Sequence, residues 1–277
     1  MSAETTLKRC ACLLALSALT MALVASTACA DPKSEYMEFR FHAGVPGNQS
    51  GVTPMGRVGA AGAVQMAIPV AYTPAQGNFV IDANTGMQGD GLKFAYKDAD
   101  ANGSLNFGLG LLEPGHGLYV SYMATSIDWE PVWAIQYQVI GNPSEDEIYD
   151  KGDTLAVAIG GIDLNNQRAS NVSAPFEGDS RSFYIVATER FGSEDKPLYA
   201  TLGIGTKRYE GLFGGVCYRP SDRMAVFAEY DSIGVNGGLT YALKDADSRD
   251  NWILFFGIAD ADPDFLSYGI SYTFGAR

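Results

Sequence analysis

Histidine is nearly missing from this chain: His42 and His116 are the two it has in 277 residues. They lie far apart without a ligand-spaced partner, so a histidine-based zinc site is not expected. No Gly-x-Ser-x-Gly elbow occurs, and neither histidine has the local setting of a catalytic serine pair. No catalytic, cofactor or metal residues are therefore assigned. Cysteine is as scarce, because Cys10, Cys12 and Cys29 fall in the first thirty residues and leave Cys217 alone. A lone thiol cannot bridge within the chain, so the fold must stand without disulfides. Basic charge is also short, with 19 Lys and Arg against 32 Asp and Glu and a net charge of −13. Such a chain repels phosphate, which excludes nucleic acid as a partner. The acid gathers in short runs such as Ser144 to Glu147, Asp245 to Asp250 and Asp260 to Asp264, read as solvated loops.

The first thirty residues read as a leader. Lys8 and Arg9 form a basic start, Leu13 to Val24 is apolar and uncharged, and Ala28-Cys29-Ala30 offers small residues to a signal peptidase. The apolar stretch falls short of the roughly 20 residues a membrane helix needs. Cleavage is expected before Asp31, giving a 1–30 signal peptide and a 31–277 mature chain; lipidation at Cys29 is the alternative.

The mature part has no apolar run long enough for a membrane helix and no helical periodicity. What recurs is alternation of period two, in segments of about nine residues. In Ser104 to Leu111, Leu105, Phe107, Leu109 and Leu111 alternate with Ser104, Asn106, Gly108 and Gly110. In Val132 to Ile140, Trp133, Ile135, Tyr137 and Val139 oppose Ala134, Gln136 and Gln138. Leu198 to Thr206 and Val235 to Leu243 repeat the pattern, and further segments begin near Met37, Val64, Phe79, Leu92, Leu118, Leu155, Phe183, Leu212, Met224, Trp252 and Leu266. Tight turns at Pro114-Gly-His116, Arg219 to Asp222 and Ser232-Ile-Gly234 alternate with longer polar stretches at Asn142 to Asp153 and Asn165 to Asp179.

A soluble sandwich also alternates, so the faces decide. One face is large and apolar; the other is Gly, Ala, Ser, Asn and Gln with few charges. That suits a barrel turned inside out, with lipid outside and a wet or crowded lumen. The 15 Tyr and 14 Phe supply aromatic girdles for the two membrane interfaces. The last segment agrees: Leu266, Tyr268, Ile270, Tyr272 and Phe274 alternate with Ser267, Gly269, Ser271 and Thr273. Tyr268, Ile270, Tyr272 and Phe274 resemble the C-terminal signal read by the barrel-assembly machinery, although Gly275, Ala276 and Arg277 follow the Phe that would normally be last.

On the inward phase, the alternation places Glu38, Arg40, His42, Asp82, Lys93, Gln136, Gln138 and Glu229 as lumen-lining residues, to form either a selectivity lining or internal salt bridges. Asp98-Ala-Asp100-Ala-Asn102-Gly103 copies the first half of a calcium loop. Its twelfth position is Leu109 and not Glu, so a hairpin whose Asn-Gly favours left-handed turn geometry is the preferred reading.

Two stretches resemble YjbH-like outer-membrane proteins, which are associated with exopolysaccharide production. Gly62 to Pro69 through Gln76 to Asp82 resembles their strand-turn-strand opening, with Ala67 inserted before Ile68-Pro69. Tyr218 to Asp231, then Val235 to Tyr241, resembles their repeated hairpin. The resemblance covers about a fifth of the chain, and the family has no established catalytic residues to carry over. It implies a barrel, with polysaccharide as a partner. The expectation is an all-β fold, a single antiparallel transmembrane β-barrel of about 12 to 14 strands. It is a small channel or export-associated barrel in the bacterial outer membrane, with lipid, lipopolysaccharide and small solutes as partners. The alternatives are a structural or adhesive barrel with a plugged lumen and, third, a barrel enzyme acting on lipid.

Overall fold

The computed structural model describes residues 43–88, 103–125, 130–141, 154–166, 180–193, 195–262 and 265–275. The segments expected at Met37 and Leu92, the calcium-like stretch from Asp98 to Asn102, and Glu38, Arg40, His42 and Lys93 lie outside them.

Two short strands come first, β1 (Gly51–Val52) and β2 (Val58–Gly59), paired with each other. Then follow β3 (Phe79–Gln88), β4 (Gly103–Gly110), β5 (Leu118–Thr125), β6 (Glu130–Ile140), β7 (Ala156–Ile162) and β8 (Ser182–Gly192). The remainder are β9 (Pro197–Gly205), β10 (Gly211–Ser221), β11 (Met224–Tyr230), β12 (Val235–Ala242), β13 (Asp250–Ile258) and β14 (Phe265–Phe274). From β3 onward each strand pairs antiparallel with the next, and β14 returns to β3, closing a 12-stranded barrel. The closing seam runs from Phe274 opposite Phe79 to Phe265 opposite Gln88. Closure satisfies every strand's backbone without leaving an edge, as a sheet in hydrocarbon requires.

The alternation sorts the side chains as the sequence suggests. Trp133, Ile135, Tyr137, Leu202, Ile204, Leu239, Trp252 and Leu254 are exposed outward, while their neighbours Ala134, Gln136, Gln138, Thr201 and Thr240 are buried inward. Large apolar side chains exposed on strand after strand would aggregate in water; in a bilayer they are at home. Aromatic pairs mark both ends of the outer face. Phe79 stacks on Phe274 at 5.1 Å, with Tyr272 packed on Trp252 nearby, and Tyr122 meets Trp133 edge-on at 5.1 Å towards the opposite end.

The interior departs from expectation. The segment starting at Val64 is not a barrel strand. Residues 43–78 run inside the barrel, and Val64, Gln65, Met66, Ala67, Ile68 and Val70 are all buried, odd and even positions alike. The strand-turn-strand opening is therefore corrected: strand begins at Phe79, and the stretch before it is a plug. Physically, the alternation in Val64 to Pro69 has no free partner strand to pair with, because the barrel is already closed around it.

Candidate functional site: the occupied lumen

The plug has one charged residue, Arg57, and is rich in Gly, Ala, Val and Pro. Such a segment has little reason to face water, but beyond β1–β2 and the single bridges Asn48–Gln65 and Val52–Ala63 its backbone has no strand pairing of its own. The barrel wall supplies the missing partners. Glu229 on β11 accepts from Met66 N at 2.9 Å through Oε2 and from Ala67 N at 2.8 Å through Oε1, and Asn236 Nδ2 donates to the same Oε1 at 3.0 Å. Thr188 on β8 accepts from Ala71 N at 2.8 Å. Gln138 on β6 accepts from Thr73 N at 3.0 Å, and Gln136 donates to Val70 O at 2.9 Å and Thr73 Oγ1 at 2.7 Å. Across the lumen, Ser121 donates to Gly44 O at 2.6 Å. Each bond replaces water that the closed interior cannot provide.

Apolar contacts fill the rest. Val45, Met66, Ile68, Val70 and Tyr72 join the wall's Tyr184, Phe213, Phe227 and Phe255 in one continuous core. The small inward residues have a purpose here. The Tyr184 ring lies over Gly160 and the Phe213 ring over Gly203, each on the neighbouring strand, where a Cβ would collide with the ring. Among the described residues, plug and wall thus crowd most of the lumen.

One mouth is where β14 ends and β3 begins; the other carries the β9–β10, β11–β12 and β13–β14 turns. At this second mouth Arg208 and Asp231 are both wholly buried, with Nη2 and Oδ2 2.8 Å apart and Nη1 donating to Asp231 O at 2.7 Å. Asp231 Oδ1 also accepts from Ile233 N and Gly234 N, which holds Ser232 at φ 71 in the hairpin. Tyr209 beside them donates to Ala67 O at 3.2 Å. Burial pushes its phenol above the ordinary tyrosine range, so it stays protonated as a donor. Arg208 and Asp231 thereby join two turns directly over the plug's contact with Glu229.

Of the residues expected to line the lumen, the structure places Asp82, Gln136, Gln138 and Glu229 on the inner wall, all buried. Asp82 accepts from Asn106 Nδ2 at 3.0 Å. Sequence reasoning missed the plug and its holders Ser121, Thr188 and Tyr209. The near absence of charge over 36 residues was the available signal. His116 sits in the β4–β5 turn, its amide bonded to Glu113 O.

A closed antiparallel barrel with large apolar side chains exposed all round its exterior, and its small, polar and aromatic ones turned inward, is an outer-membrane β-barrel. No protein-family profile matches the chain, and no curated protein sequence does. Among solved structures it is similar to the KdgM porin, with a TM-score of 0.45 and 12% identity over 72% of this chain and 99% of that one. It is similar also to Omp33 of Acinetobacter baumannii, at 0.39 and 10% over 72% and 98%. An outer membrane channel from Pseudomonas putida F1 gives 0.40 and 9% over 73% and 96%. At these scores the likeness is loose, and it is the chain's own strand pairing that defines the barrel.

Proposed function

We propose that the protein is an outer-membrane channel held closed by its own residues 43–78, and that passage requires the plug to move. The observation that carries this reading is how the plug is held. It is bonded to the wall mainly through side chains such as Glu229, Thr188 and Gln138, while the wall strands form their ladders with one another and meet the plug's backbone at its last residue, where Gly110 N donates to Asn78 O. A plug so attached can leave without breaking a strand ladder, and it would uncover a wall whose Asn, Gln, Ser and Thr, set among rings such as Tyr184, Phe213 and Phe227, offer polar contacts to hydrated solutes. The reading is non-enzymatic. A polysaccharide cargo, suggested by the YjbH-like resemblance, is one form it would take, with insertion by the barrel-assembly machinery through β14. A structural barrel is the second reading, favoured by the continuous core that plug and wall share.

Planar-bilayer recording separates them. The mature chain is expected to give brief, infrequent openings, and a variant lacking residues 43–72 sustained conductance. A deletion variant that folds, as shown by its heat-modifiable band, yet stays silent would favour the structural barrel.

A further inference from the structure

At the mouth where β14 ends, the plug does not fill the barrel. A cavity of about 340 Å³ remains between the β1–β2 hairpin of the plug and the inner wall of β8, β9 and β10. Its wall side carries Arg190 on β8, Tyr199 on β9 and Arg219 on β10. Arg190 and Tyr199 are register partners, and Tyr199 pairs in turn with Cys217, two residues before Arg219 on the same face. The three side chains thus stand side by side on adjacent strands, which lie roughly 5 Å apart. Arg57 of the plug faces them from the other side of the cavity.

Neither wall arginine makes an ion-pair contact with a carboxylate among the described residues, and the acid that acts on Arg219, Asp222 of the β10–β11 turn, does so from beyond contact distance. Arg190 bonds Thr154 through its backbone alone, as donor at 3.1 Å and as acceptor at 3.2 Å. Arg219 is 4% exposed and its guanidinium reaches two carbonyls, Asp222 O at 3.1 Å and Gly62 O at 3.5 Å. The contrast with Arg208 and Arg223, which hold Asp231 and Asp245, is plain. A desolvated guanidinium is costly unless an anion meets it, and its planar fork fits carboxylate or phosphate oxygens two at a time. The acids that line the cavity, Asp195, Asp222, Asp245 and Asp247, are exposed residues of the turns. Positive charge therefore stands on the inner wall, buried at Arg219 and half-buried at Arg190, and negative charge at the rim.

We propose that this cavity binds a small organic anion, with its carboxylate or phosphate group on Arg190 and Arg219 beside the Tyr199 hydroxyl and its polar remainder towards the acidic rim. The rim disfavours a molecule charged along its whole length and admits one with a single anionic end and hydroxyls behind it. Binding does not depend on passage, so the site stands whether or not the barrel conducts. It does touch the plug, because an anion on Arg219 competes with Gly62 O for the same guanidinium.

The test is calorimetric titration of the refolded mature chain in detergent with gluconate, glucose 6-phosphate and, as the neutral control, glucose. At least one anion is expected to bind and glucose not to; which anion binds tells carboxylate from phosphate. The Arg190→Gln/Arg219→Gln variant should weaken binding at least about tenfold, while Lys207→Gln, on an exposed cation of the β9–β10 turn at the opposite mouth, should leave it unchanged. Because the Arg190 guanidinium bonds nothing described, Arg190→Gln alone provides the readout should the double variant fail to fold. Silence from both anions, equal binding of glucose, or full binding by a folded Arg190→Gln chain would overturn the proposal.

Discussion

The inner face of the wall and the plug are both buried, both rich in small residues, and held by opposite means. In the wall, backbone bonds backbone around a closed ring, and side chains serve two solvents, lipid outside and plug inside. In the plug, backbone bonds wall side chains as well as a few irregular backbone partners of its own, and its side chains supply the apolar filling. The wall could therefore keep its ladders without the plug, whereas the plug has no fold without the wall. Stability should belong mainly to one region and closure to the other.

Substitutions that injure one region and spare the other probe that division. The largest effect is expected from Leu239→Arg, which puts a charge on the lipid face near mid-strand at a cost of about 2–4 kcal/mol. Folded yield should fall, read as loss of the heat-modifiable band. Thr240→Arg, one residue on, points into a filled interior and not into water, since Thr240 is buried between Ala225 and Phe255 in the register. It should displace the plug as well as alter conductance. Next is Glu229→Ala, which strands the amides of Met66 and Ala67 at about 1–3 kcal/mol for each unsatisfied group. The barrel band should persist while openings in planar bilayers become more frequent, and Glu229→Gln, which keeps an acceptor oxygen, should be milder. Equal loss of the barrel band in Glu229→Ala and Leu239→Arg would erase the division.

Tyr209→Phe removes one bond to the plug, worth about 0.5–1.5 kcal/mol. Its effect also depends on pH. The closed state raises the phenol's pKa, so its contribution is complete below about pH 10, the ordinary value. It is lost as pH rises through the raised one. Openings should increase above about pH 10 in the parent chain and less steeply in Tyr209→Phe. The smallest effect is expected from Gly237→Ala on the outer phase of β12, where the nearest atom to an added Cβ is Phe227 O at 3.4 Å. Thermal stability should change by less than about 0.5 kcal/mol.

The same contrast explains what the sequence made legible. Trp133 to Val139 and Leu266 to Phe274 announce strands because lipid on one side and a packed interior on the other impose a period of two. That environment repeats around the ring, so the barrel, its strand count and inward positions such as Gln136 and Glu229 could be read. Val64 to Val70 also alternates in part, but every direction around it is interior, so the pattern carries no face. Its binding side chains, Thr188 and Ser121, are ordinary inward polar residues of distant strands, indistinguishable from the rest until the plug lies against them. The pairing of Arg190 with Arg219 across β9 was hidden similarly, since it depends on register between strands.

Closure by the plug is tested most directly by tying it to the wall. Ala71 N lies 2.8 Å from Thr188 Oγ1, so the two residues meet across the boundary between plug and wall. Ala71→Cys/Thr188→Cys, made in residues 31–277 carrying Cys217→Ser so that no other thiol is present, should form a bridge on oxidation. Recorded in planar bilayers, the oxidised protein should be silent, and addition of dithiothreitol to the same membrane should restore openings. Unchanged openings in the bridged protein would contradict the account, because passage would then not require the plug to move.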